Sequence, residues 1–327
     1  MITLANDRIE VTLDPDHGAE IMSVRRPGRP NVLASYAWRS PLPAGRSTGY
    51  GDEVNDWLSE YRGGWQELFP NGGAACTVAG VPLPFHGEVS RARWRIDAQS
   101  NDSVTVSTPT RLPLVIERRM RLAPGQASLF IDETVTADAD IAMPFLWGHH
   151  PAFLAAEGAQ IDMPDGTVIV TDAAYETDLS DVAPGSRGAW PTVDARHGGT
   201  IDLDRVGSGP VERLAYLTNM GDQPFAAIRD GSGGEGMGMA WDADMFRSAW
   251  FWWEIGGPGH PWHGRSRIVA IEPNTTFPSD GLAAASERGE AHVLPGGGER
   301  RTWLTMTLFD ADDRAVRGVS RDGMVMR

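Results

Sequence analysis

Leu114-Val115-Ile116-Glu117-Arg118-Arg119-Met120-Arg121-Leu122, a turn at Pro124-Gly125, then Leu129-Phe130-Ile131-Asp132-Glu133-Thr134-Val135-Thr136: apolar and polar residues alternate through both runs. A period of two marks half-buried strands, because successive side chains point to opposite faces of a sheet. Two such runs joined by a short turn predict adjacent antiparallel strands. Ile9–Leu13, Ser103–Thr108, Thr167–Val170 and Thr302–Leu308 repeat the pattern along the chain. The 38 glycines and 23 prolines supply frequent turns and argue against a helical bundle. Gly-rich pieces at Asp230–Gly238 and Gly296–Gly298 read as hairpin loops. One helix is expected over Asp52–Arg62, where Val54, Trp57, Leu58 and Tyr61 fall on one face and Gly63-Gly64 stops it. It should cover an edge or mouth of a sheet. The expected fold is all-β, a sandwich or a barrel with few short helices, forming one domain over residues 1–327.

Composition narrows the function. The chain has 327 residues, 41% hydrophobic and 22% charged, an ordinary globular balance. A net charge of −15 argues against nucleic acid or an anionic membrane surface as partner, since phosphates need Lys or Arg to neutralise them. A neutral or cationic small molecule fits better. The single cysteine, Cys76, excludes an internal disulfide and a multi-thiolate metal site. Its neighbours Ala74-Ala75 and Thr77-Val78 read as a strand holding a buried, inert thiol. No stretch approaches the ~18 apolar residues of a membrane span, and no basic segment leads into an apolar run at the N-terminus. A cytoplasmic location is expected.

The chemistry-bearing residues cluster in three turn-rich, His-containing segments flanked by aromatics. These are Pro84-Phe85-His86-Gly87, Trp147-Gly148-His149-His150-Pro151-Ala152-Phe153 and Gly259-His260-Pro261-Trp262-His263. His260 and His263, with His86 or Glu272, could face a metal ion, but Pro261 intervenes and no carboxylate follows at a motif distance. Glu272 ends the apolar run Ile268–Ile271 just before Pro273. A carboxylate at the end of a buried strand loses hydration, which raises its pKa and suits a general base near neutrality. Pairing with Arg265 or Arg267 is the structural alternative. The chain has 12 tryptophans. A Trp ring presents an apolar face that suits the C–H face of a sugar. In Trp250-Phe251-Trp252-Trp253, Trp250 and Trp252 share one strand face and Phe251 and Trp253 the other. Trp253 is taken as a substrate-binding candidate. There is no Gly-x-Ser-x-Gly elbow, P-loop or dinucleotide fingerprint.

These segments, in their order along the chain, resemble the aldose 1-epimerases, or galactose mutarotase-like proteins. Pro70-Asn71 precedes His86-Gly87, His149–Phe153 stands where that family has its Asn-His-x-x-Phe segment, and Glu272 comes late in Ala270–Pro273. The resemblance implies a large antiparallel β-sandwich and a sugar as small-molecule partner, with Glu272 taking the proton of the anomeric hydroxyl and His150 protonating the ring oxygen; whether the two face each other across a sugar-sized gap separates this function from a non-catalytic one. It implies substrate contacts from His86, Asn71 and His149, and no cofactor or metal. The sequence departs from the family in Asn71-Gly72-Gly73, where better-known members carry Asn-Arg-Ile, and in His149, where Asn is usual. The missing arginine, and the lack of a basic cluster beyond Arg265, Arg267 and Arg229, favour an unphosphorylated sugar. A non-catalytic carbohydrate-binding protein and another sugar isomerase or lyase are the competing functions.

Overall fold

The computed structural model describes residues 1–36, 52–154, 156–230 and 234–327. Two antiparallel sheets dominate it. The first has ten strands, in spatial order Ile2–Ala5, Glu10–Asp14, Glu20–Arg25, Trp65–Leu68, Gly148–Leu154, Arg267–Asn274, Ser248–Ile255, Val211–Thr218, Val168–Thr171 and Arg187–Ala189. The second has eight, in the order Gln160–Asp162, Phe225–Arg229, Glu235–Trp241, Glu299–Asp310, Ser128–Ala137, Leu114–Leu122, Ser103–Pro109 and Arg95–Gln99. Leu114–Leu122 and Ser128–Ala137 pair antiparallel from Leu129 opposite Leu122, as their alternation predicts.

One continuous core lies between the sheets. Val11, Phe153, Phe251, Trp253, Val269 and Ile271 enter it from the ten-stranded sheet, Trp147 from the residue just before one of its strands, and Ile116, Met120, Ile131, Val135, Leu304 and Met306 from the eight-stranded one. Both inner faces therefore read as the apolar phase of an alternating pattern. This is the β-sandwich that the family resemblance implies, and one of the two architectures that the alternation allows. The Gly296–Gly298 turn corrects its hairpin reading. It joins His292–Leu294, which pairs with Met143–Phe145, to Glu299–Asp310 in the eight-stranded sheet, so it passes between sheets. Phe225–Arg229 and Glu235–Trp241 do pair, and residues 231–233 of the Asp230–Gly238 turn lie outside the described residues. Cys76 is half-buried, on a short strand, rather than fully enclosed.

The helix spans Glu53–Glu60 and begins where the sequence places its signal. The Asp52 side chain accepts hydrogen bonds from the amides of Val54 and Asn55, both at 3.1 Å, satisfying two otherwise orphaned donors. Gly63 then turns the chain at φ +80°, where a Cβ would sit 2.2 Å from the Ala34 carbonyl oxygen. The apolar side of this helix, Val54, Trp57 and Leu58, closes over the outer face of the ten-stranded sheet, the face turned away from the core. Among the described residues no helix is long and apolar enough to cross a membrane.

Candidate functional site

A cavity of about 420 Å³ opens on that outer face. Its floor is a grid fixed by strand register. Gly148 is opposite Asn274 and Ala152 opposite Ala270, which sets His150 beside Glu272. Glu272 is in turn opposite Trp250, and Trp250 opposite Tyr216. The next row holds Ala152, Ala270, Trp252 and Leu214, and the one beyond it Ile268, Glu254 and Glu212. The two alanines add little height to the middle row. The rings of Tyr61 and Trp262 pack above it, in the same apolar cluster as Ala152 and Ala270. Trp57 from the helix forms the wall beside the histidines, with ring centroids 4.8 Å from His86 and 5.3 Å from His150.

His150 Nε2 lies 3.5 Å from Glu272 Oε1. Both side chains are almost wholly buried, and among the described residues His150 Nδ1 and Glu272 Oε2 have no hydrogen-bond partner. Burial penalises their charged forms: it lowers the His150 pKa to about 4 and raises that of Glu272 well above the ordinary carboxylate value. Both directions favour an uncharged pair that holds one proton between them. His86 is also buried, and its backbone takes the left-handed conformation at φ +61°. Strain of this kind persists where surroundings over-determine it, and here the loop does so. The His86 amide donates to Gly73 O at 2.9 Å, while His86 Nδ1 accepts from the Gly73 amide at 3.1 Å. Burial, followed by the neighbouring His150, drives the His86 pKa well down. A neutral imidazole whose Nδ1 accepts must carry its proton on Nε2, so His86 is a fixed donor.

The other candidate residues fall elsewhere. His149 precedes His150 on one strand and therefore points to the opposite face, into the core. There its Nδ1 accepts from Trp65 Nε1 at 3.1 Å and its Nε2 lies 3.0 Å from Glu133 Oε2. Trp253 is fully buried on the same inner face, 4.6 Å from the Arg213 guanidinium. Neither can touch a ligand in the cavity, which Trp250 and Trp252 line instead. Asn71 is buried behind the cavity wall. Its amide donates to Ala74 O at 2.9 Å and Pro84 O at 3.0 Å, and its Oδ1 accepts from the Leu282 amide at 2.7 Å. It ties together the two loop segments that carry Gly73 and His86, a positioning role. Arg229 pairs with Asp162 in the eight-stranded sheet, and neither it nor Arg265 nor Arg267 lines the cavity. Glu272 meets His150 rather than either upstream arginine.

His260 lines the cavity, but its Nε2 is engaged with Ser59 Oγ at 3.0 Å. It forms no three-donor group with His263, His86 or Glu272. Among the described residues the one such group is Glu67, Glu133 and His149, and the Arg118 guanidinium already bonds both of its carboxylates. That is an ion-pair cluster rather than a vacant cation site. Trp57, Tyr175, Glu212 and Glu254 are cavity residues that the sequence reading did not single out as ligand contacts. Glu254 had a readable signal: it shares strand parity with Trp250 and Trp252 in the segment already marked as sugar-facing.

No family model and no curated protein matches the chain. Solved structures do resemble it. A protein from Synechocystis sp. PCC 6803 matches with a TM-score of 0.66 at 16% identity, covering 95% of this chain and 96% of its own. The galactose mutarotase related enzyme from Lactobacillus acidophilus gives 0.63 at 19%, covering 96% and 99%. A galactose mutarotase-like protein from Lactobacillus casei gives 0.59 at 18%, covering 94% and 100%. The chain thus has the galactose mutarotase-like fold. At these identities the likeness concerns the fold, and the activity is argued from the cavity.

Proposed function

We propose that the cavity binds a sugar and interconverts its α and β anomers by acid–base ring opening. The observation that carries this reading is the contact of His150 with Glu272 on the cavity floor, each buried and each with one atom that finds no hydrogen-bond partner among the described residues. The expectation of a sugar-sized gap between them is replaced by adjacency, and adjacency suits the reaction. The anomeric hydroxyl oxygen and the ring oxygen are both bonded to C1, so the base and the acid must act side by side. Glu272 as carboxylate takes the proton from the hydroxyl on C1, and protonated His150 gives its proton to the ring oxygen. The C1–ring oxygen bond breaks and the hydroxyl carbon becomes an aldehyde. Rotation about the C1–C2 bond presents the other face, and the proton transfers run in reverse. Ring opening thus converts ionised Glu272 with protonated His150 into neutral Glu272 with neutral His150. Those are two arrangements of a single shared proton, and burial of the pair favours holding one proton. His86 Nε2–H would donate to a sugar oxygen, and Trp250, Trp252 and Trp57 would supply apolar ring faces.

Anomer interconversion followed by polarimetry over a panel of free and phosphorylated sugars tests the proposal. Saturable sugar binding with no rate above the spontaneous one would make this a carbohydrate-binding protein instead. His150→Asn is expected to lower kcat/KM by about 10² or more. His149→Asn should change kcat/KM less than about threefold, since His149 faces the core, while lowering Tm through the loss of its bonds to Glu133 and Trp65. Equal rate losses at the two positions would sink the acid assignment. The pH profile follows from the shared proton. kcat/KM should be flat around neutrality and fall in acid toward about pH 4, where His150 takes up a proton while Glu272 keeps its own and no base remains. A rate falling already between pH 7 and 6 would mean that an unburied imidazole controls the reaction.

A further inference from the structure

The cavity extends well past the catalytic pair. Glu254 is four residues along its strand from Trp250, which faces Glu272 in register, so roughly 13 Å separates the backbones of the two glutamates. At the far end Glu254 stands directly opposite Glu212 on the neighbouring strand, and both line the cavity. Like charges directly opposite on one sheet face repel. Here they also converge: a methyl group added to Gly257 would lie 2.4 Å from Glu254 Oε1 and 2.7 Å from Glu212 Oε1. Glu254 is 2% exposed. Its Oε1 accepts from Ser266 Oγ at 2.6 Å and from the Gly257 amide at 3.0 Å. Its Oε2 has no partner among the described residues.

Among the described residues that line this wall, none is a Lys or Arg that would neutralise the two carboxylates. The described lining residues include Glu212, Glu254 and Glu272, three imidazoles, and no Lys or Arg. Burial raises the Glu254 pKa to about 7, with the Ser266 hydrogen bond opposing and the charge of Glu212 adding to the rise. Around the pair stand Trp252, Tyr175 and Trp262, with Trp252 Nε1 3.4 Å from the Tyr175 hydroxyl. Electron-rich ring faces beside converging carboxylates attract an ammonium ion by both routes.

We propose that this end of the cavity is a cation subsite, and that the saccharide bound there carries a free amine beyond the ring whose anomeric carbon meets Glu272 and His150. This rests on reading the cavity as a sugar site and narrows the substrate class to amine-bearing oligosaccharides. The ammonium would sit between Glu212 and Glu254 against the face of Trp252. An anionic sugar would meet the Glu212 and Glu254 carboxylates there.

Titration calorimetry with a glucosamine disaccharide and with its N,N′-diacetylated form tests the subsite, because acetylation keeps the ring shape and removes the charge. At pH 7.5 and low salt the free amine is expected to bind at least tenfold more tightly, and the advantage should shrink as NaCl is raised. Glu212→Gln, at a half-buried position that tolerates an amide, should reduce the preference to below about threefold. Equal affinity for the two disaccharides, binding of neither, or a preference indifferent to both salt and Glu212→Gln would overturn the proposal. The measurement is of binding alone. An amine preference with no anomer interconversion therefore keeps the subsite and removes the enzyme reading, whereas interconversion without the preference does the opposite.

Discussion

Replacing Glu272 with glutamine is expected to slow anomer interconversion by about 10³-fold, within the usual range for a positioned base, and to leave sugar affinity within about tenfold. The amide keeps the shape of the side chain and one acceptor, and it cannot take the proton. The same substitution should not cost stability. Burial raises the folded-state pKa of Glu272 above its unfolded value, so the folded protein holds a proton that the unfolded chain releases. The stability tied to that proton is complete below the unfolded pKa, near 4.5, and is lost as pH rises through the folded one. Glutamine has no proton to lose. The Tm of Glu272→Gln should therefore match the wild type at pH 5 and equal or exceed it at pH 8. An inactive protein that is no less stable is the signature of a residue kept for chemistry. More than about a tenth of the wild-type rate in the glutamine variant would sink the base assignment, and a lower Tm at pH 8 would show that the carboxyl holds the fold.

Period-two alternation made the all-β class and the faces of the strands legible, because it reports directly which side of a strand meets the core, while the choice of sandwich over barrel came with the family resemblance. It also separated Trp250 and Trp252 from Phe251 and Trp253, and that division holds in the structure. The same rule applied to His149 and His150 would have sent them to opposite faces and left only one in the cavity. What alternation cannot supply is strand order. Glu272 and His150 are neighbours because Arg267–Asn274 and Gly148–Leu154 pair across more than a hundred residues of chain, and nothing local fixes that pairing. The Glu212–Glu254 juxtaposition is likewise a matter of register between distant strands. The helix was readable in extent from its cap and apolar face. That Trp57 packs against both His86 and His150 depends on where the helix docks.

Arg118→Met is expected to destabilise the protein by about 3–5 kcal/mol, the usual loss when one member of a buried ion pair is removed, and to lower Tm on the order of 10 °C. Arg118 occupies the apolar phase of its strand with Leu114, Ile116, Met120 and Leu122, as Glu133 does of its own with Leu129, Ile131 and Val135. A charge in the inward phase of two paired strands is a sequence signal for a buried cluster. Arg118 and Glu133 are opposite each other in the eight-stranded sheet, while Glu67 and His149 are opposite each other in the ten-stranded one. Arg118 bonds Glu67 across the gap and Glu133 Oε1 at 3.0 Å, and it donates to Ala19 O at 3.0 Å. Trp147 Nε1 donates to Glu67 Oε1 at 2.6 Å. The cluster thus joins the two sheets directly behind the strand that carries His150. Burial raises the pKa of Glu133 to about 7 and also raises that of Glu67, with Arg118 as the main opposing influence on both. Without the guanidinium both carboxyls should move further up and stay protonated in the fold. The stability deficit should therefore grow as pH rises from 5 to 8. Arg118→Met combined with Glu67→Gln and Glu133→Gln should recover much of the loss, since the cost comes from the stranded charges more than from the missing contact. Denaturant unfolding at the two pH values measures all three quantities. A loss below about 1 kcal/mol for Arg118→Met, or a deficit that does not change with pH, would mean that water reaches the cluster and that it does not hold the sheets in register beneath the cavity.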